Sequence, residues 1–185
     1  MGFHTFDPER AGVLEDEGRY RHCSMAELHA LIAPHEEMVL ADLGSGTGFY
    51  TDDLAPRVAR CYAVDVQAEM HDRYREKGVP ETVELVTAAV ADLPLADGSL
   101  DCAFSTMTYH EFADDDAFEE LARTLRSGGR LVTVDWSAEG EGAEGPPRAE
   151  RYDLGDAVGH HLDHGFAVER AESRPETFVC VGRRE

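Results

Sequence analysis

Residues 39–55 read VLADLGSGTGFYTDDLA, and the reading of this stretch decides the fold. An apolar run carries one acid, Asp42, and ends in three glycines on alternate positions, Gly44, Gly46 and Gly48. FYTDDLA then has the character of a helix, until Pro56 bends or ends it. Strand, bare turn and helix start form the unit that sits at the carboxyl edge of a parallel sheet. Glycine there lets the backbone turn sharply and approach a ligand, and the helix start behind it offers free N–H groups to an anion. Dinucleotide-binding loops run G-x-G-x-x-G. Here the third glycine comes one residue early and Phe49 takes the later slot. Alone, such a loop is also compatible with a plain tight turn.

The flanking sequence supplies the context. RCYAVDV (60–66), TVELVTAAV (82–90), SLDCAFSTMTYH (99–110) and RLVTVDW (130–136) read as further strands. AEMHDRYREKG (68–78), closed by Gly78, and DDDAFEELARTLRSGG (114–129), closed by its double glycine, read as helices between them. This alternation implies βαβ units, hence an α/β domain with a parallel sheet and helices on both faces. A helix over 149–165 follows the Gly/Glu/Pro loop 137–148, and FAVERAES (166–173) with TFVCVGRR (177–184) reads as a closing hairpin. All 185 residues form one domain: a leading segment over 1–23, a helix in 24–37 and a core over 38–185.

Composition narrows the function classes. Acids number 38 against 17 Lys and Arg, the net charge is −21, and Lys77 is the single lysine. The acids are dispersed along the chain, which resembles the proteins of salt-accumulating halophiles, where the Debye length falls to about 3 Å. Such a charge disfavours nucleic acid as a ligand, because phosphate binding needs a basic footprint. No apolar run approaches the ~20 residues of a membrane span. MGFHTFDPER lacks the features of a signal peptide, so a cytoplasmic location is expected. Cys61, Cys102 and Cys180 sit in apolar runs and read as core, whereas Cys23 lies in a polar segment.

Two acids sit where a nucleoside would need them. Asp65 closes the second strand, placed to accept both ribose hydroxyls. Asp92 follows the third strand, placed to accept a base amino group, with Val66 and Leu93 as apolar faces. Strand-end capping is the competing explanation for either acid alone.

VLADLGSGTG, AVDV, the AADLP-like end of VTAAVADLP, LDCAFSTMTYHE and LRSGGRLVTVD, in this order, resemble the class I S-adenosylmethionine (SAM)-dependent methyltransferases, and most of all the small type 11 branch. FDPERAGVLED also looks like the opening of some small archaeal and bacterial members. The resemblance implies a three-layer Rossmann-like fold with a seven-stranded, mostly parallel sheet and one antiparallel strand. It implies SAM as cofactor, with Gly44, Ser45, Gly46 and Gly48 around its methionine part and Asp42 orienting that loop. Asp65 would hold the ribose, Asp92 the adenine amino group, with Val66, Met70 and Leu93 around the ring and Ser105 lining the cofactor. Ser45 stands where the family commonly has cysteine.

His110 is the candidate general base for a protonated acceptor, with Glu111 to orient it or to bind a cation and Tyr109 to pack on the substrate; backbone bonding at the strand end is the competing explanation for His110 and Glu111. Asp135 and Trp136 reach the same rim. His160, His161 and His164 read as a solvated helix end rather than a metal site. Residues 1–23, with Phe3, Phe6, Tyr20, His22 and Cys23, are expected to act as a lid; Cys23 alone is a poor ligand for a soft metalloid. The expected partner is a small-molecule substrate, with no nucleic acid and no membrane, and a homodimer is allowed. A SAM-binding regulator without catalysis and a nicotinamide-dependent oxidoreductase are the competing functions; the early third glycine counts against the latter.

Overall fold

The computed structural model describes residues 6–185. Its centre is one sheet of β1 (Val39–Leu43), β2 (Arg60–Asp65), β3 (Val83–Thr87), β4 (Leu100–Thr106), β5 (Leu125–Trp136), β6 (Phe166–Ser173) and β7 (Thr177–Arg184). The strand order is β3-β2-β1-β4-β5-β7-β6. Strands β1 to β5 pair in parallel, and β7 runs antiparallel to both neighbours. The chain reverses direction between β1 and β4, so the glycine loop after β1 opens at the topological switch point.

Side chains alternate between the two faces of the strands, and because both faces are covered the central strands are buried almost throughout, which builds two cores. Leu40, Phe104, Val132 and Val134 face one side with Leu28, Leu31 and Ile32 of α1 (Met25–Ile32) and Phe49, Tyr50 and Leu54 of α2 (Phe49–Leu54). Ala41, Leu43, Ala103 and Leu131 face the other, with Tyr109 of α4 (Tyr109–Phe112), Phe118 and Leu121 of α5 (Asp115–Thr124) and Ala157 of α6 (Leu154–Asp163). α3 (Ala68–Lys77) follows β2 and stops at Gly78, whose φ of +104° an L residue avoids. Pro56 ends α2 as expected, and Ala55–Arg57 continues as a 3-10 turn.

The sequence reading needs three corrections here. The fourth strand stops at Thr106, because Met107 takes a left-handed φ of +59° and its N–H turns to the Val134 carbonyl at 2.8 Å. Tyr109, His110 and Glu111 therefore lie on a helix and not on the strand. Second, the double glycine does not close α5: Leu125 is already extended (ψ 137°), and the Ser-Gly-Gly run lies inside β5. Gly128 adopts φ +77° opposite a register shift between Leu100 and Cys102, an irregularity that glycine permits. Third, the last helix begins only at Leu154, where a reciprocal Asp153–Asp156 capping box fixes its start.

Candidate functional site

The parallel register brings the carboxyl ends of β1, β2, β3 and β4 to one edge, with Asp65 opposite Thr87 and Ser105 opposite Thr133 of β5. At that edge the amides of Gly44 and Ser45 both donate to the Val64 carbonyl, at 2.9 Å each. Gly44, Gly46 and Gly48 have φ of +77°, +55° and +83°. A Cβ on Gly44 would lie 2.2 Å from Thr108 Cγ2, and one on Gly48 would lie 2.1 Å from Tyr74 Cζ. At Gly46 the nearest atom is Leu14 Cδ1, at 3.1 Å. The bare turn thus answers first to the protein's own side chains. Thr108 and Tyr74 shape it, and neither carries a signal that marks it in the sequence.

Asp65 clasps the loop. Its Oδ2 accepts from the Gly46 amide at 2.9 Å and its Oδ1 from the Gln67 amide at 2.8 Å. Each oxygen keeps a further lone pair. Burial pushes the Asp65 carboxyl above its ordinary pKa, and the two amide bonds oppose this. Asp42 is 2% exposed and accepts from Thr51 Oγ1 at 2.6 Å. Burial pushes its pKa up to about 7. The Ser45 and Ser105 hydroxyls are buried and have no partner among the described residues.

The residues expected around a base divide. Val66 is 55% exposed, an uncovered apolar face beside Asp65, while Met70 is buried. Asp92 is exposed. Leu93 is a core residue whose amide donates to Glu120 Oε1 at 2.7 Å, so it backs this region instead of presenting an open face.

The second centre is built by α4 and β5. His110 Nδ1 lies 2.9 Å from Asp135 Oδ2 and 3.1 Å from Oδ1, and the His110 amide donates to Oδ2 at 2.8 Å. Asp135, fully buried, therefore orients His110; Glu111, expected in that role, lies on the other side of the ring, 3.9 Å from Nε2. Burial lowers the His110 pKa, but the Asp135 carboxylate outweighs it and leaves the group raised. Burial pushes the Glu111 carboxyl up to about 7. Trp136 continues from Asp135 and is flanked by the His22 ring at 4.6 Å and the Arg151 guanidinium at 5.5 Å.

Tyr109 is not open to a substrate. It is fully buried, and its hydroxyl pairs with His160 Nδ1 at 2.6 Å. His161 Nδ1 bonds to the Ala157 carbonyl at 2.7 Å, and His164 Nδ1 to the His160 carbonyl at 2.8 Å. These histidines thus close the helix on itself. No group of three or more His, Cys, Asp or Glu side chains placed to hold a metal occurs among the described residues.

Of two 3-10 stretches, Pro8–Glu15 lies against the glycine loop and Glu17–Arg21 packs on α2, with Arg19 and Tyr20 against Phe49 and Tyr50. Leu14 meets Gly46, and Glu15 bonds Thr47 and Lys77. Lys77, the single lysine, also pairs with Asp52 at 2.8 Å, and Asp52 holds the Tyr74 hydroxyl at 2.5 Å. Gln67 Nε2 reaches the Phe6 carbonyl at 3.0 Å, Tyr20 bonds Asp53, and Arg21 and His22 meet Glu144. Cys23 is buried with its thiol pushed up to about 12 by burial, which makes it a core residue and a poor metalloid ligand. Phe3 lies outside the described residues.

Comparison with known proteins places the chain in a family. Residues 41–133 match the type 11 methyltransferase domain. An uncharacterized methyltransferase of Mycobacterium tuberculosis is 36% identical over 148 residues, 78% of this chain and 55% of that protein. A demethylmenaquinone methyltransferase of Mycobacterium sp. is 35% identical over 107 residues, 57% of this chain and 44% of that protein. The chain thus spans about half the length of these curated relatives. The crystal structure of a SAM-dependent methyltransferase from Aquifex aeolicus superposes with a TM-score of 0.86 at 30% identity, covering 96% of this chain and 98% of that one. The chain belongs to the class I SAM-dependent methyltransferases.

Proposed function

We propose that this chain transfers the methyl group of SAM to a small-molecule acceptor. The observation that carries the cofactor assignment is a set of unspent hydrogen-bonding groups at one edge. The buried Ser45 and Ser105 hydroxyls lack partners among the described residues, and both Asp65 oxygens keep a lone pair beyond the loop they clasp. A nucleoside cofactor with an amino-acid tail uses such groups: hydroxyls on the Asp65 side, a charged tail over the glycine loop. Asp65 would hold the ribose, Val66 and Met70 would border the adenine with Asp92 accepting its amino group, and Ser45 and Ser105 would meet the remaining polar atoms. SAM supplies the activated methyl; the protein contributes position and proton control.

His110 is the group suited to take the acceptor's proton, since Asp135 fixes its ring and leaves Nε2 on the side of Glu111. The segment over 8–15 covers the glycine loop and keeps water from the site. A small-molecule acceptor is supported by the short connections of the chain and by its similarity to a demethylmenaquinone methyltransferase. The dispersed acids and single lysine support a protein adapted to concentrated salt in the cytoplasm.

The assignment is tested by thermal unfolding in molar salt. S-adenosylhomocysteine should raise the melting temperature and NAD should not. Asp65→Ala should remove that rise; an undiminished rise in the variant would overturn the ribose assignment.

A further inference from the structure

Asp135 occupies a costly position. It is fully buried in β5, opposite Phe178 of β7, and among the described residues its carboxylate bonds His110 alone: the ring Nδ1 reaches both oxygens and the backbone amide reaches Oδ2. A buried carboxylate with a single partner residue is expensive to keep for packing alone. The groups facing His110 come from three elements. Asp135 lies on β5, Glu111 precedes Phe112 on α4, and Arg151 projects from the loop before α6. Arg151 spends its donors on the carbonyls of Ser137, Glu144 and Pro146, so it opposes a second positive charge without pairing to the ring.

This arrangement defines a chemical task. The carboxylate on Nδ1 requires a proton at that nitrogen, which leaves the lone pair on Nε2. Nε2 looks toward Glu111, whose carboxyl is influenced by both Asp65 and Asp135. Glu111 therefore lies within electrostatic reach of the acid assigned to the ribose.

We propose that Asp135 is a positioning residue that holds His110 in the Nδ1–H tautomer, so that Nε2 takes a proton from an acceptor bearing O–H or N–H at the atom to be methylated. The inference rests on the reading of this edge as a methyl-transfer site. In the step, the O–H or N–H bond of the acceptor breaks, its proton bonds to the Nε2 lone pair, and the bonding electrons stay on the acceptor atom as the nucleophile. The imidazolium so formed carries Nδ1–H against the Asp135 carboxylate. An acceptor whose methylated atom bears no proton, such as a thioether, would need none of this.

Two-bond 1H–15N spectra of the labelled protein report the tautomer and titration of each histidine, and His110→Gln assigns the His110 signals. The expected result is a protonated Nδ1 and bare Nε2 above neutral pH, with a titration midpoint above the ordinary histidine value. Asp135→Asn should lower that midpoint and mix the tautomers while leaving the S-adenosylhomocysteine melting shift in place. A native His110 protonated at Nε2, or a midpoint that Asp135→Asn does not move, would overturn the proposal. Should Asp135→Asn fail to fold, the native tautomer decides alone. Loss of the cofactor shift from the native protein, with the tautomer as expected, would instead remove the methyl-transfer reading and leave the dyad standing.

Discussion

Gly48 offers a direct test of why the turn is bare. Gly48→Ala places an L residue at φ +83°, and the new Cβ falls 2.1 Å from Tyr74 Cζ. The ring cannot swing aside cheaply, because its hydroxyl is held by Asp52 at 2.5 Å and Lys77 Nζ lies 4.8 Å from its centroid. Gly165 is the control: its φ is +79°, and nothing lies within 4 Å of an added Cβ. Both alanine variants carry the left-handed backbone cost of about 1–2 kcal/mol. Only Gly48→Ala carries the collision, and forced overpacking of a buried site costs a further ~1–3 kcal/mol. For a domain of this size that difference corresponds to roughly 2–12 °C in Tm. Thermal and urea unfolding of the two variants in the same molar salt should place Gly48→Ala well below Gly165→Ala. Equal destabilisation would refute the claim that Tyr74 dictates this glycine.

Two further outcomes follow from charge. The Asp42 carboxyl is held at a pKa of about 7 in the native state, mainly by burial. Between about pH 4 and pH 7 the native protein keeps a proton that the unfolded chain has lost, so this group's contribution to stability falls as pH rises through that window. Asp42→Asn, which can still accept from Thr51, should remove a decline on the order of 3–4 kcal/mol across the window; denaturant unfolding at stepped pH that shows parallel curves for the two proteins would contradict it. The net charge of −21 predicts that Tm rises steadily from dilute buffer to molar salt as self-repulsion is screened. A Tm independent of salt would remove the argument for a salt-adapted surface.

Much of the fold was legible because its signals are local. The short apolar runs around Leu40, Val64 and Val132, with amphipathic stretches between them, mark alternating strands and helices. The end of β4 was not legible: nothing in STMTYHEF announces that Met107 turns left-handed and starts a helix at Tyr109. The Ser-Gly-Gly run carries a helix-stop signal that the pairing of β5 with β4 overrides.

The site shows the same division. Asp65 and the glycines were marked by residue type and spacing. Thr108, which packs on Gly44 from 64 residues away, was not, because only the closed sheet brings the two together. Asp135 was visible as an acid at a strand end, but its bond to His110 is a tertiary fact, and so is the burial that makes Tyr109 a core residue. Lys77 carried a compositional signal in being the sole lysine, and its place between Glu15 and Asp52 became clear only when the 3-10 segment was seen against the glycine loop.

The claim on which the functional account depends is that the loop and Asp65 together bind a sulfonium nucleoside or its demethylated product. Calorimetric titration of the native protein with S-adenosylhomocysteine in molar salt tests it most directly. One saturable site per chain is the predicted result. The absence of saturable binding in folded protein would contradict the account.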